Sequence, residues 1–197
     1  MAMHPLPERT AKMDMQALPA DLRRAVDFHG HLCPGLLIGY RAVKALQARL
    51  DAGRAEDEEL VAIVENDSCS VDAFQALLST TLGKGNLRWL DHGKQAFTLH
   101  DRQSGRAVRA LFVGDKLRKS LPDGSMDRQG FIQALLTAPE DALFALREVD
   151  VPPPAEAVIE RSQPCDSCGE MTQPSRTVLI GERRLCRACA AKEGQQS

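Results

Sequence analysis

Gln95-Ala-Phe-Thr-Leu-His100 and Ala107-Val-Arg-Ala-Leu-Phe-Val-Gly114 are the two runs whose reading decides the fold class. Both are apolar, carry β-branched and aromatic residues, and are too short for helices of ordinary length, so they read as strands. Ser104-Gly105 supplies the turn between them. Upstream, Leu87 to Leu90 is a third strand, joined through Asp91-His92-Gly93, so the stretch 87–114 reads as a strand meander. Leu60-Val-Ala-Ile-Val64 adds a buried strand. Helical patterns flank these strands. Leu18 to Phe28 puts Leu18, Leu22, Ala25 and Val26 on one face, and Pro34 opens a helix to about Leu50. Val71 to Leu82, Asp127 to Ala138 and Pro139 to Glu148 also read as helices. Strands that cluster rather than alternate with helices predict an α+β core, with a mainly antiparallel sheet and packed helices.

With 197 residues the chain has room for one core domain and a small appendage. The expected division is a flexible leader over 1–17, a core over 18–150, a linker over 151–161 stiffened by Pro152-Pro-Pro154, and a finger over 162–197. Hydrophobic residues make up 43% and charged residues 26%, ordinary for a globular protein. A formal net charge of −2 gives no global pull toward nucleic acid or an anionic membrane, and 4% aromatics argue against base-stacking platforms. No run approaches the roughly 20 apolar residues of a membrane span. Met1 to Gln16 lacks the apolar core of an export signal, so with six cysteines the chain is expected in the cytoplasm, where reduced thiols often bind metal.

Cys165-Asp-Ser-Cys168 and Cys186-Arg-Ala-Cys189 are two C-x-x-C pairs at a spacing read as structural zinc. Gly169 makes the first pair a tight knuckle. Thr177 to Ile180, Gly181 and Arg183 to Leu185 form a hairpin, and Cys186 to Lys192 a short helix, which together describe a treble-clef-like finger holding Zn²⁺. Structural zinc supplies roughly 10–16 kcal/mol to such small units. From Arg161 to Ser197 the basic residues barely outnumber the acids, and four thiolates with one Zn²⁺ remove that excess. Nucleic acid is therefore not the expected partner; Arg183, Arg184 and Arg187 are the residues that would form a local patch.

His29, His31 and Cys33 alternate, and on an extended segment they share a face. Cys33 precedes Pro34 at a helix start, where unpaired amides and the helix dipole favour a thiolate. Cys69 stands in a similar place, after a strand and before a helix capped by Ser70. If the two helix starts converge, His29, His31, Cys33 and Cys69 form a second site, with Asp67 and Asp72 as nearby carboxylates. Mixed nitrogen and sulfur donors suit zinc, nickel or iron. The same atoms also suit a thiol nucleophile, Cys33 or Cys69, with a histidine such as His31 as base. Elsewhere, Gly83-Lys84-Gly85-Asn86 reads as a turn rather than an anion loop, and His92 as a turn residue. His100 is expected to be exposed, Tyr40 and Trp89 in core or groove lining, and Lys116 and Arg118 beside a cleft.

Phe28-His-Gly-His-Leu-Cys-Pro-Gly35 resembles the opening motif of the FmdE family of formylmethanofuran dehydrogenase subunits. Cys69 with Val71-Asp-Ala-Phe-Gln75, Thr81-Leu-Gly-Lys-Gly-Asn86 and Gly93-Lys94 are similar to its second block, and the likeness covers about residues 20 to 150. The resemblance implies an α+β core with a cavity lined by the matching histidines and cysteines, a C-terminal treble-clef finger as in some members, and a homodimer. It also implies an accessory, metal-binding role beside a molybdenum or tungsten redox enzyme of C1 metabolism. Two other classes fit the same residues: a thiol-dependent enzyme, and a metal- or redox-sensing regulator that uses the finger for partner or nucleic-acid contact.

Overall fold

The computed structural model describes residues 15–119 and 128–194. Most of the expected leader, and Asp127 at the expected start of a helix, lie outside the described residues; Met15–Ala17 is a single 3-10 turn. The chain divides into two compact units, Met1–Glu156 and Ala157–Ser197.

In the first unit the elements run α1 (Ala20–His29), α2 (Pro34–Leu50), β1 (Leu60–Val64), α3 (Ser70–Leu78), β2 (Leu87–Trp89), β3 (Ala96–Asp101), β4 (Ala107–Phe112), α4 (Asp115–Lys119), α5 (Arg128–Thr137), α6 (Glu140–Leu143) and β5 (Phe144–Glu148). The five strands form one sheet in the order β2-β1-β3-β4-β5, antiparallel except for the β1–β2 pair. The class is α+β, as the clustered strands predict.

Three local expectations are corrected. The meander holds only for β3 and β4; β2 runs parallel to β1 at the sheet edge. Asn86 causes this. Its buried amide donates to the carbonyls of Asp57 and Leu60 and accepts from the Thr81 amide, and its own carbonyl receives the Ala62 amide, which fixes β2 beside β1. Pro139 to Glu148 is helical for only one turn. From Phe144 the side chains alternate inward and outward, Phe144 meets Phe112 edge-on with ring centroids 5.8 Å apart, and the segment closes the sheet as β5. The α3 helix stops at Leu78 rather than Leu82, because Ser79 adopts a left-handed conformation and the Thr80 hydroxyl donates to the Phe74 carbonyl.

The core lies between one face of the sheet and helices α1, α2, α3 and α5. Leu60, Ala62, Val64, Phe97, Leu99, Val108 and Ala110 meet Leu22, Leu36, Val43, Leu46, Phe74 and Leu135 there. Each fully buried side chain of this size contributes roughly 1.5–3 kcal/mol. The tightest contact is between backbones: a Cβ built on Gly39 of α2 would collide with the Ser70 carbonyl oxygen at the start of α3. A buried carboxylate, Glu65, closes the end of β1. It accepts from Arg109 at 2.7 Å and from His92 at 3.3 Å.

The second unit contains β6 (Gln163–Pro164), β7 (Met171–Thr172), β8 (Thr177–Ile180), β9 (Arg183–Cys186) and α7 (Arg187–Gly194). β6 pairs with β7 across the first cysteine pair, and β8 with β9 across a turn in which Gly181 has φ of 62°.

Two outcomes follow from this packing. Gly39→Ala should lower the urea midpoint by an amount equivalent to about 1–3 kcal/mol, because α2 and α3 must move apart. Arg109, foremost, holds the Glu65 carboxyl below its ordinary range against the opposing effect of burial. Its stabilising contribution is therefore full at neutral pH and lost as pH falls from about 4.3 through the depressed value. Glu65→Gln should cost about 1.5–3 kcal/mol at pH 7, and the gap from the native chain should narrow in urea titrations at pH 3.

Candidate functional site

The core site is assembled by three helix ends. α1 finishes at His29, where Gly30, at φ 93°, turns the chain and returns its amide to the Val26 carbonyl. The chain then enters α2 through Cys33, the N-cap, whose sulfur accepts the Leu36 amide at 3.3 Å, with Pro34 as the first helical residue. His29 Nδ1 donates to Asp72 Oδ2 on the first turn of α3 at 2.7 Å, and its Nε2 lies 3.7 Å from Cys33 Sγ. Asp72 Oδ1 in turn accepts from Gln75 at 3.1 Å. The His31 ring stands 4.7 Å from the His29 ring, centroid to centroid. One donor atom from each of His29, His31 and Cys33 lies within 4.8 Å of the others.

Cys69 is the N-cap of α3. A Cβ built on Gly35 would stand 3.1 Å from Cys69 Cβ, 3.8 Å from its sulfur and 3.9 Å from the Cys33 sulfur. The two sulfurs thus flank the same glycine, and the two helix starts converge as the paired positions suggest. Ser70 is not the cap. It is the buried first residue of α3, and its hydroxyl bonds to Asn66 and Ser68.

Two expectations about this site are corrected. The three donors do not share the face of an extended segment; His29 ends a helix, and the left-handed Gly30 folds His31 and Cys33 back toward it. The Cys33 thiol is pushed up, not down. Burial is the main cause, since the side chain is 5% exposed, and the Cys69 thiol adds to it; the Leu36 amide opposes both.

Beside the cluster is a cavity of about 390 Å³, with His29, Cys69 and Asp72 on one side and Leu82, Leu87 and Trp89 on the other. Trp89 is half-exposed and lines this groove, whereas Tyr40 is buried and donates to Asp21 at 3.1 Å. His100 is buried, 2% exposed, on β3 between Val61 and Ala107, contrary to its expected exposure. His92 is more than a turn residue because it pairs with Glu65. Lys84 binds the Asp57 carbonyl at 2.7 Å and serves its own turn. Lys116 lies exposed on α4, and the Arg118 side chain is outside the described residues. Gln75 was not singled out in the sequence; its spacing of three from Asp72 on a helix is the signal for that contact.

In the second unit all four cysteines offer sulfurs within 4.8 Å of one another. Gly169, at φ 76°, closes the knuckle and returns its amide to the Cys165 carbonyl at 2.9 Å. The amides of Ser167 and Cys186 reach Cys165 Sγ at 3.4 and 3.2 Å. Amides of Cys168, Cys186 and Ser167 bring the Cys165 thiol down to about 6. Cys168 goes the other way, to about 12, since burial and the neighbouring thiols outweigh the Glu170 amide. A divalent cation is the species that would let all four ionise together.

Fold and donor groups define the class: an α+β core with an imidazole–thiol cluster at two helix mouths, and a small unit with four gathered thiols. Both groups fit a metal ion by donor type. The family described as FmdE, molybdenum formylmethanofuran dehydrogenase operon, matches residues 28–145, and the chain belongs to it. A tungsten formylmethanofuran dehydrogenase FmdE-like protein from Syntrophus aciditrophicus has a similar structure, with a TM-score of 0.64 and 26% identity, covering 87% of this chain and 90% of that one. A probable S-adenosyl-L-methionine-binding protein from Archaeoglobus fulgidus is 30% identical over 195 residues, which covers 86% of this chain. The chain spans about half the length of that curated relative, 52%. Among the described residues no helix is long and apolar enough to cross a membrane.

Gly35→Ala should separate the two sulfurs, because its methyl group presses on Cys69 Cβ. The expected result is a slower diamide-driven Cys33–Cys69 crosslink, with a stability loss of about 1–2 kcal/mol, read by mass spectrometry and urea titration.

Proposed function

We propose that the chain is a metal-binding protein with two centres of different purpose. In the second unit Cys165, Cys168, Cys186 and Cys189 close a structural Zn²⁺ site in a treble-clef finger over 162–197. In the core, over 18–150, His29, His31, Cys33 and Cys69 hold a transition metal, with zinc, nickel or iron matching the donor set. The protein would act as an accessory, metal-handling component of a formylmethanofuran dehydrogenase-type redox system, as a homodimer in the cytoplasm. The family name and the tungsten-enzyme relative support that association.

One observation carries the core reading. The Nδ1–H of His29 is committed to Asp72, so Nε2 is left as the lone-pair nitrogen, and it points at Cys33. A carboxylate that fixes the tautomer of an imidazole beside a thiol is the outer-shell arrangement of metal-binding histidines. A metal bound there would supply Lewis acidity next to the cavity. The chain's own part is to fix the His29 tautomer through Asp72, keep the sulfurs out of bulk water, and present an apolar wall to whatever enters. The relative named for S-adenosyl-L-methionine binding makes that ligand one candidate for the cavity, although half of the relative lies beyond the match.

Metal analysis of protein purified without added metal should give two ions per chain. Cys33→Ser should leave one, and Asp72→Asn should weaken core metal retention by about 10–100-fold without touching the finger. Unchanged metal content in Cys33→Ser would refute the core centre. Chelation should remove hydrogen-exchange protection from β8 and β9 while β3 and β4 keep theirs.

A second reading has its own support. Cys33, His29 and Asp72 stand in the order of a nucleophile, base and orienting carboxylate. Iodoacetamide kinetics on the metal-free core separate the two. Rapid alkylation of Cys33 at pH 7, abolished by His29→Ala, would favour the thiol enzyme; a slow, unreactive Cys33 favours the metal site.

A further inference from the structure

The cavity beside the cluster is larger than an ion requires, and its walls specify a ligand. About 390 Å³ lies within the range of small-molecule pockets. Its walls are Val64, Val71, Leu82 and Leu87, with the face-bearing Trp89 at the mouth. Trp89 and Leu82 are 51% and 69% exposed, so an apolar surface stands in water at the entrance. The charges lining the cavity all have one sign. Asp67 and Asp72 contribute carboxylates, and no lysine or arginine lines the cavity among the described residues. Asp72 is already engaged through both oxygens, by His29 and Gln75. Asp67 is exposed, and among the described residues no hydrogen bond or ion pair holds it.

We infer that this cavity binds a small organic cation with an apolar body, the body against Leu82, Leu87 and Trp89 and the positive group between Asp67 and the indole face. The carboxylate offers an ion pair and the indole a cation–π contact, while an anion would meet two carboxylates with no counter-charge. The inference stands on the cavity and does not need the metal. A divalent ion held by two thiolates is neutral, so a loaded core site would leave the same sign in the pocket.

The chain has a single tryptophan, and it lines this cavity, so its fluorescence reports occupancy directly. The probes are phenethylammonium, its neutral analogue phenethyl alcohol, and the anion hydrocinnamate, titrated into the full chain as purified, with metal content measured on the same samples. The cation should shift or quench the emission saturably and bind about tenfold more tightly than the alcohol, with no saturable response to the anion. Asp67→Asn should cut that preference to about threefold with metal content unchanged, leaving the cation–π part. Trp89→Leu, followed by calorimetry, should weaken the cation and the alcohol alike. Equal binding of cation and alcohol, a preference that survives Asp67→Asn, or calorimetric binding that leaves the indole emission untouched would each overturn the inference. None of these results depends on how many ions the core retains.

Discussion

The close approach of α2 and α3 at Gly39 and Ser70 is the constraint on which the site depends. Gly35 and Gly39 are four residues apart and lie on one face of α2. Neither position has room for a side chain: at 39 the obstacle is the Ser70 backbone, and at 35 it is Cys69 itself. Two glycines in the first turns of a helix each sacrifice roughly 0.5–1 kcal/mol relative to alanine. What the helix gains is contact between two backbones, and with it the meeting of two N-caps that both carry sulfur. The strand β1 and the buried polar turn Asn66–Ser70 then have a fixed length to cover before α3 begins. That turn is tied internally by Asn66, Ser68 and Ser70 hydroxyl and amide bonds and by Gln95. Cys69 is consequently held by backbone, not by its own packing.

Burial sets the electrostatics of the core cluster. A helix N-terminus offers amides to a sulfur, and at Cys33 the Leu36 amide is in place. Removal from water nevertheless outweighs one amide, and a second thiol alongside makes ionisation harder still. In the second unit the balance is reversed for Cys165, where several amides converge on one sulfur and the thiol falls to about 6. The same residue type at two helix or knuckle mouths thus meets opposite fates, and the number of converging amides against the extent of burial decides which. His29 is the fixed point of the core cluster, since its tautomer is set by a carboxylate that is itself braced by Gln75.

Much of this was legible in the sequence, and the parts that were not share a cause. Pro34 after Cys33 marked the start of α2 correctly, the 60–64 strand was plain from composition, and the two C-x-x-C pairs gather as their spacing implies. What failed was decided by partners distant in sequence. β2 reads like any short strand, and only the bonds of Asn86 to Asp57 and Leu60 place it parallel to β1. The stretch 144–148 carries helix-compatible residues, but β4 presents an open edge and Phe112 a ring to meet Phe144, so pairing prevails over local preference. The Cys33 ionisation was misjudged because a sequence shows the helix start but not the depth of burial.

The two candidate centres differ in what the surrounding unit needs. Among the described residues of the second unit, Leu185 and Cys165 are the buried apolar side chains, and Val178, Leu179, Ile180 and Met171 are exposed. Such a unit has no core with which to offset the entropy of ordering some forty residues, so an ion bonded to four sulfurs must supply the folding energy. The first unit has a continuous core that runs from Leu22 to Phe144 and is complete without any ion. Its cluster of imidazoles and sulfurs is not required to hold the fold together. That cluster also opens onto a cavity, whereas a structural site closes all four positions with protein ligands. Donors that the fold does not need, placed beside a pocket with room for another molecule, are there for what enters the pocket.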